Sequence, residues 1–331
     1  MKLSGFAKFA WGVLTYNVLV ILWGAYVRAT GSGAGCGEHW PLCNGQVLPR
    51  AESVKTMIEF SHRASSGLLG LIVLALLIWA MRAYPKKHPV RTGAIVSSVF
   101  IIIEALLGAV LVKFRLVDNN DSVARAVVMS LHLINTMILT AALALTAWWA
   151  AGAPPVRIGA RAGLARMLGA GLLLTILLAV TGAIVALGDT LFRAESQTLL
   201  EGIRRDFSPT AHFLIQLRII HPIFALLVTG CVIVIAVLTA TERPDKTTVK
   251  LSRVVIAHFA AQVCLGLLNL VLQAPNWMQM LHLLMANAVW ISLVLFAASA
   301  LRADEALAES PVGAATRGPR SGAAEADPLY S

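Results

Sequence analysis

Apolar residues fill this chain in long stretches broken by short polar segments, and the lengths of those stretches are its first legible feature. A helix needs about 20 apolar residues to cross the hydrocarbon of a bilayer, rising 1.5 Å per residue. Eight stretches qualify, at 9–27, 62–81, 92–112, 127–149, 164–187, 217–239, 251–273 and 280–301. Helices are the form they must take. A backbone in lipid has to satisfy its own hydrogen bonds, and no ten-residue alternation of apolar and polar positions suggests a barrel.

The spans also repeat. The third contains Glu104-Ala-Leu-Leu-Gly108 and the seventh Gln262-Val-Cys-Leu-Gly266, with the same spacing from polar residue to glycine. The fourth opens with Leu-His132-Leu and the eighth with Leu-His282-Leu; the second opens at His62-Arg63 and the sixth at His221-Pro222. Three matches in one order predict an all-α membrane protein with eight transmembrane helices. These form two four-helix bundles related by a pseudo-twofold axis along the membrane normal. The expected division is 1–150 for the first half, 151–303 for the second and 304–331 for a cytoplasmic tail that its Ala, Gly, Pro and Ser content marks as disordered.

Composition agrees with a bilayer as solvent: 58% of the 331 residues are apolar and 13% charged, against about half and a quarter in soluble domains. The net charge of +10 does not indicate nucleic acid, because Lys and Arg fall between spans rather than along one face. With the N-terminus inside, 16 of the 27 basic residues face the cytoplasm, which predicts both termini cytoplasmic.

Histidine within a membrane span is uncommon and marks function when it recurs in register. His62, His132, His221 and His282 each open an even-numbered span, expected within its first turn or two, so all four imidazoles are expected near the outer face, one pair in each half. Two imidazoles converging in a helix bundle suit the two axial positions of a haem iron, whereas zinc or copper would recruit thiolate or carboxylate as well. The alternative is that each histidine caps a helix or bonds a neighbour. His39, His88, His212 and His258 lack counterparts in the other half and read as loop or packing residues.

The halves differ beside these pairs. Glu59 precedes His62 by one helical turn, and Arg218 holds that offset before His221. A carboxylate beside a bound substrate serves as acid, base or stabiliser of positive charge, while an arginine grips a propionate. The first half therefore reads as the substrate site and the second as the site of a permanent haem. An interfacial Glu59 paired with Arg63 or Arg28 is the competing reading.

Between the first two spans lies a glycine-rich loop with Cys36 and Cys43, the two cysteines suited to a bridge; Cys231 and Cys264 sit inside spans. The bridge would be either a structural staple or a redox-active pair.

The run from Arg28 through Cys36, the segment Trp40-Pro-Leu-Cys43-Asn-Gly, the motif Glu59-Phe-Ser-His62-Arg63, and Leu217-Arg218-Ile-Ile-His221-Pro222 together resemble haem A synthase. The resemblance covers 11–301. It implies oxidation of the C8 methyl of haem O to a formyl group, giving haem A for terminal oxidases in a bacterial plasma membrane. It implies haem b held by His221 and His282, haem O seated between His62 and His132, a functional acid at Glu59, and an outer-loop disulfide between Cys36 and Cys43. The implied partners are haem O, a haem O synthase (farnesyltransferase), the cytochrome oxidase assembly pathway and membrane lipid, with no nucleic acid; a homo-oligomer stays open. Some members of the family carry a second cysteine pair between the fifth and sixth spans, and this chain has none there. Two rival readings remain: a bis-histidine cytochrome carrying electrons from quinol, and a haem carrier without chemistry.

Overall fold

A computed structural model describes residues 3–50, 53–192, 201, 204, 206–208 and 210–303; the tail expected at 304–331 lies outside the described residues. Eight long helices account for most of these residues: α1 Gly5–Ala29, α2 Val54–Ala83, α3 Pro89–Lys113, α4 Val123–Ala150, α5 Ala162–Leu191, α6 Phe213–Glu242, α7 Lys246–Val271 and α8 Asn276–Ala300. All eight are long and apolar enough to cross a membrane. No strand occurs among the described residues, only isolated bridges. The chain is an all-helical multi-pass membrane protein.

Six helices begin before the apolar stretch that announces them by at least four residues, and five of these starts are capped by a side chain. Ser53 accepts from the Thr56 amide, Ser122 from Arg125, and His212 from Leu214. Each satisfies one of the orphan donors at a helix start. Three of the four key histidines therefore lie deeper than the first turn or two. His62, His132 and His221 fall in the third turn, and His282 in the second. His62 sits eight residues beyond Val54, about 12 Å along the axis.

Each half closes on itself. In the first, α1 packs against α2 and α4, and α3 joins α2 to α4; in the second, α5 packs against α6 and α8, and α7 joins α6 to α8. Two apolar cores follow from this arrangement. Leu14, Val73, Leu76, Leu139 and Leu143 anchor the first, and Leu168, Val232, Val255, Phe259 and Phe296 the second. The halves meet where α4 touches α5 and α8 and where α1 touches α8 and α5, around Met137, Trp290 and Val294. Lipid chains are as apolar as these side chains, so packing and interhelical hydrogen bonds hold the helices together. Two such bonds are Asn17 Nδ2 to Thr140 Oγ1 at 3.0 Å, within the first half, and Trp290 Nε1 to the Met137 carbonyl at 2.8 Å, between halves. Buried Asn–Thr and Trp–carbonyl pairs of this kind contribute about 0.6 to 2 kcal/mol each. Helix α8 is buried almost continuously from Val289 to Ala300, whereas α3 and α7 turn Ile102, Leu106, Leu267 and Leu268 outward to the lipid.

Candidate functional site

The first histidine pair comes from α2 and α4. The half-buried rings of His62 and His132 lie near enough for charge on one to be felt at the other. Helix α1 makes room for His62: a Cβ on Gly24 would stand 2.8 Å from Cε1 and 3.1 Å from Nε2 of that ring. One turn before His62, Glu59 is 3% exposed and fully engaged. Its Oε2 accepts from the Cys36 amide at 2.8 Å and its Oε1 from Arg63 Nε at 3.1 Å. Arg63 is thus the partner that the interfacial reading of Glu59 requires, while Arg28 turns elsewhere.

The second pair comes from α6 and α8. His221 and His282 stand in the same electrostatic proximity, and both are again backed by glycine: a Cβ on Gly182 would lie 3.0 Å from His221 Cε1, and one on Gly266 3.2 Å from His282 Cε1. His221 Nδ1 shares a hydrogen bond with Thr181 Oγ1 at 2.8 Å. Pro222 follows within the helix, and lacking an amide hydrogen it loosens the turn behind the histidine. Arg218, one turn earlier, pairs with Asp189 at 2.8 Å and Asp206 at 3.5 Å and reaches the Phe192 carbonyl at 3.3 Å. Both carboxylates already draw on the cation expected to hold a propionate.

The loop between α1 and α2 covers the first site. Cys36 and Cys43 form a disulfide, and both are buried. The loop lies directly on the first turn of α2: Thr56 Oγ1 donates to the Gly35 carbonyl at 2.8 Å, and a Cβ on Gly35 would meet the Lys55 backbone at 2.5 Å. Burial favours the staple over the redox-active pair, since labile bridges are exposed ones.

Residues 7–294 match the sequence profile of the cytochrome oxidase assembly proteins, COX15-CtaA. The chain belongs to that family. The similarities divide between relatives named for two activities. A protoheme IX farnesyltransferase of Thermus thermophilus is 51% identical over 298 residues, which cover 90% of this chain and 49% of that protein. A heme A synthase of Exiguobacterium sibiricum is 37% identical over 142 residues, 43% of this chain and 44% of the relative. A heme A synthase of Halalkalibacterium halodurans is 47% identical over 97 residues, 29% of this chain and 33% of the relative. The matched segments span half or less of each of these relatives.

This COX15-CtaA chain also brings to the site residues that its sequence had not assigned there. Glu104 of α3 approaches His132 Nδ1 at 3.1 Å. Gln262, its counterpart in α7, approaches His282 Nε2 at 3.1 Å. The repeat of Glu104 and Gln262 was the available signal; the contact itself depends on how α3 and α7 dock. Arg28, at the end of α1, donates to the Ala186 carbonyl, to Thr190 Oγ1 and, at 3.0 Å, to Gln279 Oε1. Gln279 lies one turn before His282, so one guanidinium joins the helix backing His62 to two helices of the other half. The remaining histidines have local tasks. His88 and His212 cap α3 and α6, His258 lies 3.1 Å from Ser292 Oγ, and the His39 carbonyl accepts from Arg63.

Proposed function

We propose that this chain acts as a haem A synthase, oxidising the C8 methyl of haem O to a formyl group. The observation that carries the reading is the paired, repeated placement of four histidines, three of them seated on glycines that leave no room for a side chain. The donor set fits a haem on each pair: two nitrogen donors per half, half-buried, with the Nδ1 atoms of His62, His132 and His282 buried and without an aligned hydrogen bond. The names of the heme A synthases support the activity, and the farnesyltransferase name supports a neighbouring step that supplies a prenylated haem. Cytochrome oxidase assembly would consume the product.

In this reading 1–150 forms the substrate half and 151–303 the half holding haem b, the two related by a pseudo-twofold axis. His62 and His132 would bind haem O; His221 and His282 would bind haem b, which supplies a one-electron store when bound. Both termini are cytoplasmic and both pairs lie toward the outer face. Glu59 acts by charge. Arg63 and the Cys36 amide hold its carboxylate in one place beside the His62 turn, where a fixed anion in a water-poor pocket stabilises positive charge developing at the substrate methyl. The same bonds tie the disulfide loop down over the pocket and exclude water. Arg218, shared with Asp189 and Asp206, orients the haem b pocket and reaches a propionate only by loosening one of those pairs.

Glu59→Gln tests this directly, since the amide still accepts from Cys36 but carries no charge. Haem extraction from membranes is expected to show haem O accumulating and haem A lost while haem b stays bound. Unchanged haem A output would remove Glu59 from the mechanism.

A further inference from the structure

The two halves differ at one contact that their repeat makes comparable. In the first, a carboxylate, Glu104 Oε1, stands 3.1 Å from His132 Nδ1. In the second, the amide nitrogen of Gln262 stands 3.1 Å from His282 Nε2. The carboxylate is held in place. Asn135 Nδ2 donates to Glu104 Oε2 at 2.6 Å and Thr136 Oγ1 donates to Oε1. Asn135 and Thr136 lie one turn beyond His132, so the histidine and the clamp on its neighbour share one face of α4. His132 Nδ1 is buried, and the carboxylate lies off the line of an ideal hydrogen bond to it.

We propose that Glu104 is the positioning residue of the substrate half: it accepts the Nδ1 proton of His132 and makes that imidazole a stronger electron donor to the iron than either ligand of the other half. The inference rests on the reading that His62 and His132 hold a haem. An imidazole that binds metal through Nε2 carries its proton on Nδ1. An anionic acceptor at that proton fixes the tautomer and raises the basicity of the ligand, and hydrogen bonding to an axial ligand is one of the levers a protein has on haem potential. Gln262 carries no charge and meets the opposite nitrogen, so it supplies no such push. The consequence is an ordering of potentials. Iron in the substrate half is the harder to reduce, and an electron leaving that half runs downhill to the other.

The test uses the full chain, loaded with haem O and haem b, followed by redox titration with optical and electron paramagnetic resonance detection. Glu104→Gln is expected to keep both haems and raise the midpoint of the His62–His132 haem by about tenfold in its reduction equilibrium, about 59 mV for one electron. The other haem is expected to stay unchanged, and Glu104→Asp to recover part of the shift. Unshifted midpoints and spectra in Glu104→Gln, with the substrate-half haem still lost on His132→Ala, would overturn the inference and leave the haem assignment standing. If Glu104→Gln fails to assemble, Glu104→Asp is titrated in its place, and a midpoint equal to that of the wild type overturns the inference. A wild-type spectrum indifferent to both His62→Ala and His132→Ala would overturn the haem assignment and the inference with it.

Discussion

Glycine opposite histidine is the smallest device in this molecule that bears on function. Gly24, Gly182 and Gly266 let neighbouring backbones come so close to the imidazoles that a single methyl group would meet the ring at 2.8 to 3.2 Å. Overpacking of this kind costs about 1–3 kcal/mol where the surroundings cannot yield. Gly24→Ala should therefore displace His62 and abolish haem A formation while leaving haem b bound. Purified protein with wild-type haem composition and wild-type turnover would show that the close approach is incidental. The sequence showed these glycines but not their task. It did show the histidines, because an imidazole in a lipid-facing stretch stands out against its neighbours. It also showed Glu59 and, one turn on in α2, its partner Arg63, yet the other partner, the Cys36 amide, lies on a loop whose path no periodicity encodes.

Helix ends account for most of what the apolar pattern misjudged. Polar first turns such as Val54-Lys55-Thr56 in α2 are invisible to a search for apolar runs, and the caps at Ser53, Ser122 and His212 make them helical all the same. His62, His132 and His221 consequently sit a turn deeper than expected, while His282 lies in the second turn. The loop before α2 is the other element with a definable role. Its disulfide closes a short ring and, by restricting the unfolded loop, contributes about 2 kcal/mol of local stability. Cys36→Ser and Cys43→Ser should each expose the segment between Gly31 and Arg50 to limited proteolysis and lower haem A output in parallel. A pair that had a redox task would instead leave protease resistance intact while output fell.

The pattern of two halves was legible at the level of the whole chain, since the same residue types recur in the same order, and the contacts within 1–150 and within 151–303 follow one scheme. The seam was not legible. Arg28, Asp189 and Gln279 come together only because α1, α5 and α8 converge, and no local signal in any one of them names the others. In the proposed reading, duplication followed by divergence gives each half its own chemistry, with Glu59 and Glu104 on one side and Arg218 and Gln262 on the other. The claim that the halves hold two different haems is tested most directly by pyridine extraction of haems from four purified variants. His221→Ala and His282→Ala are predicted to lose haem b, while His62→Ala and His132→Ala keep haem b and make no haem A. Equal loss of haem b from all four would contradict it.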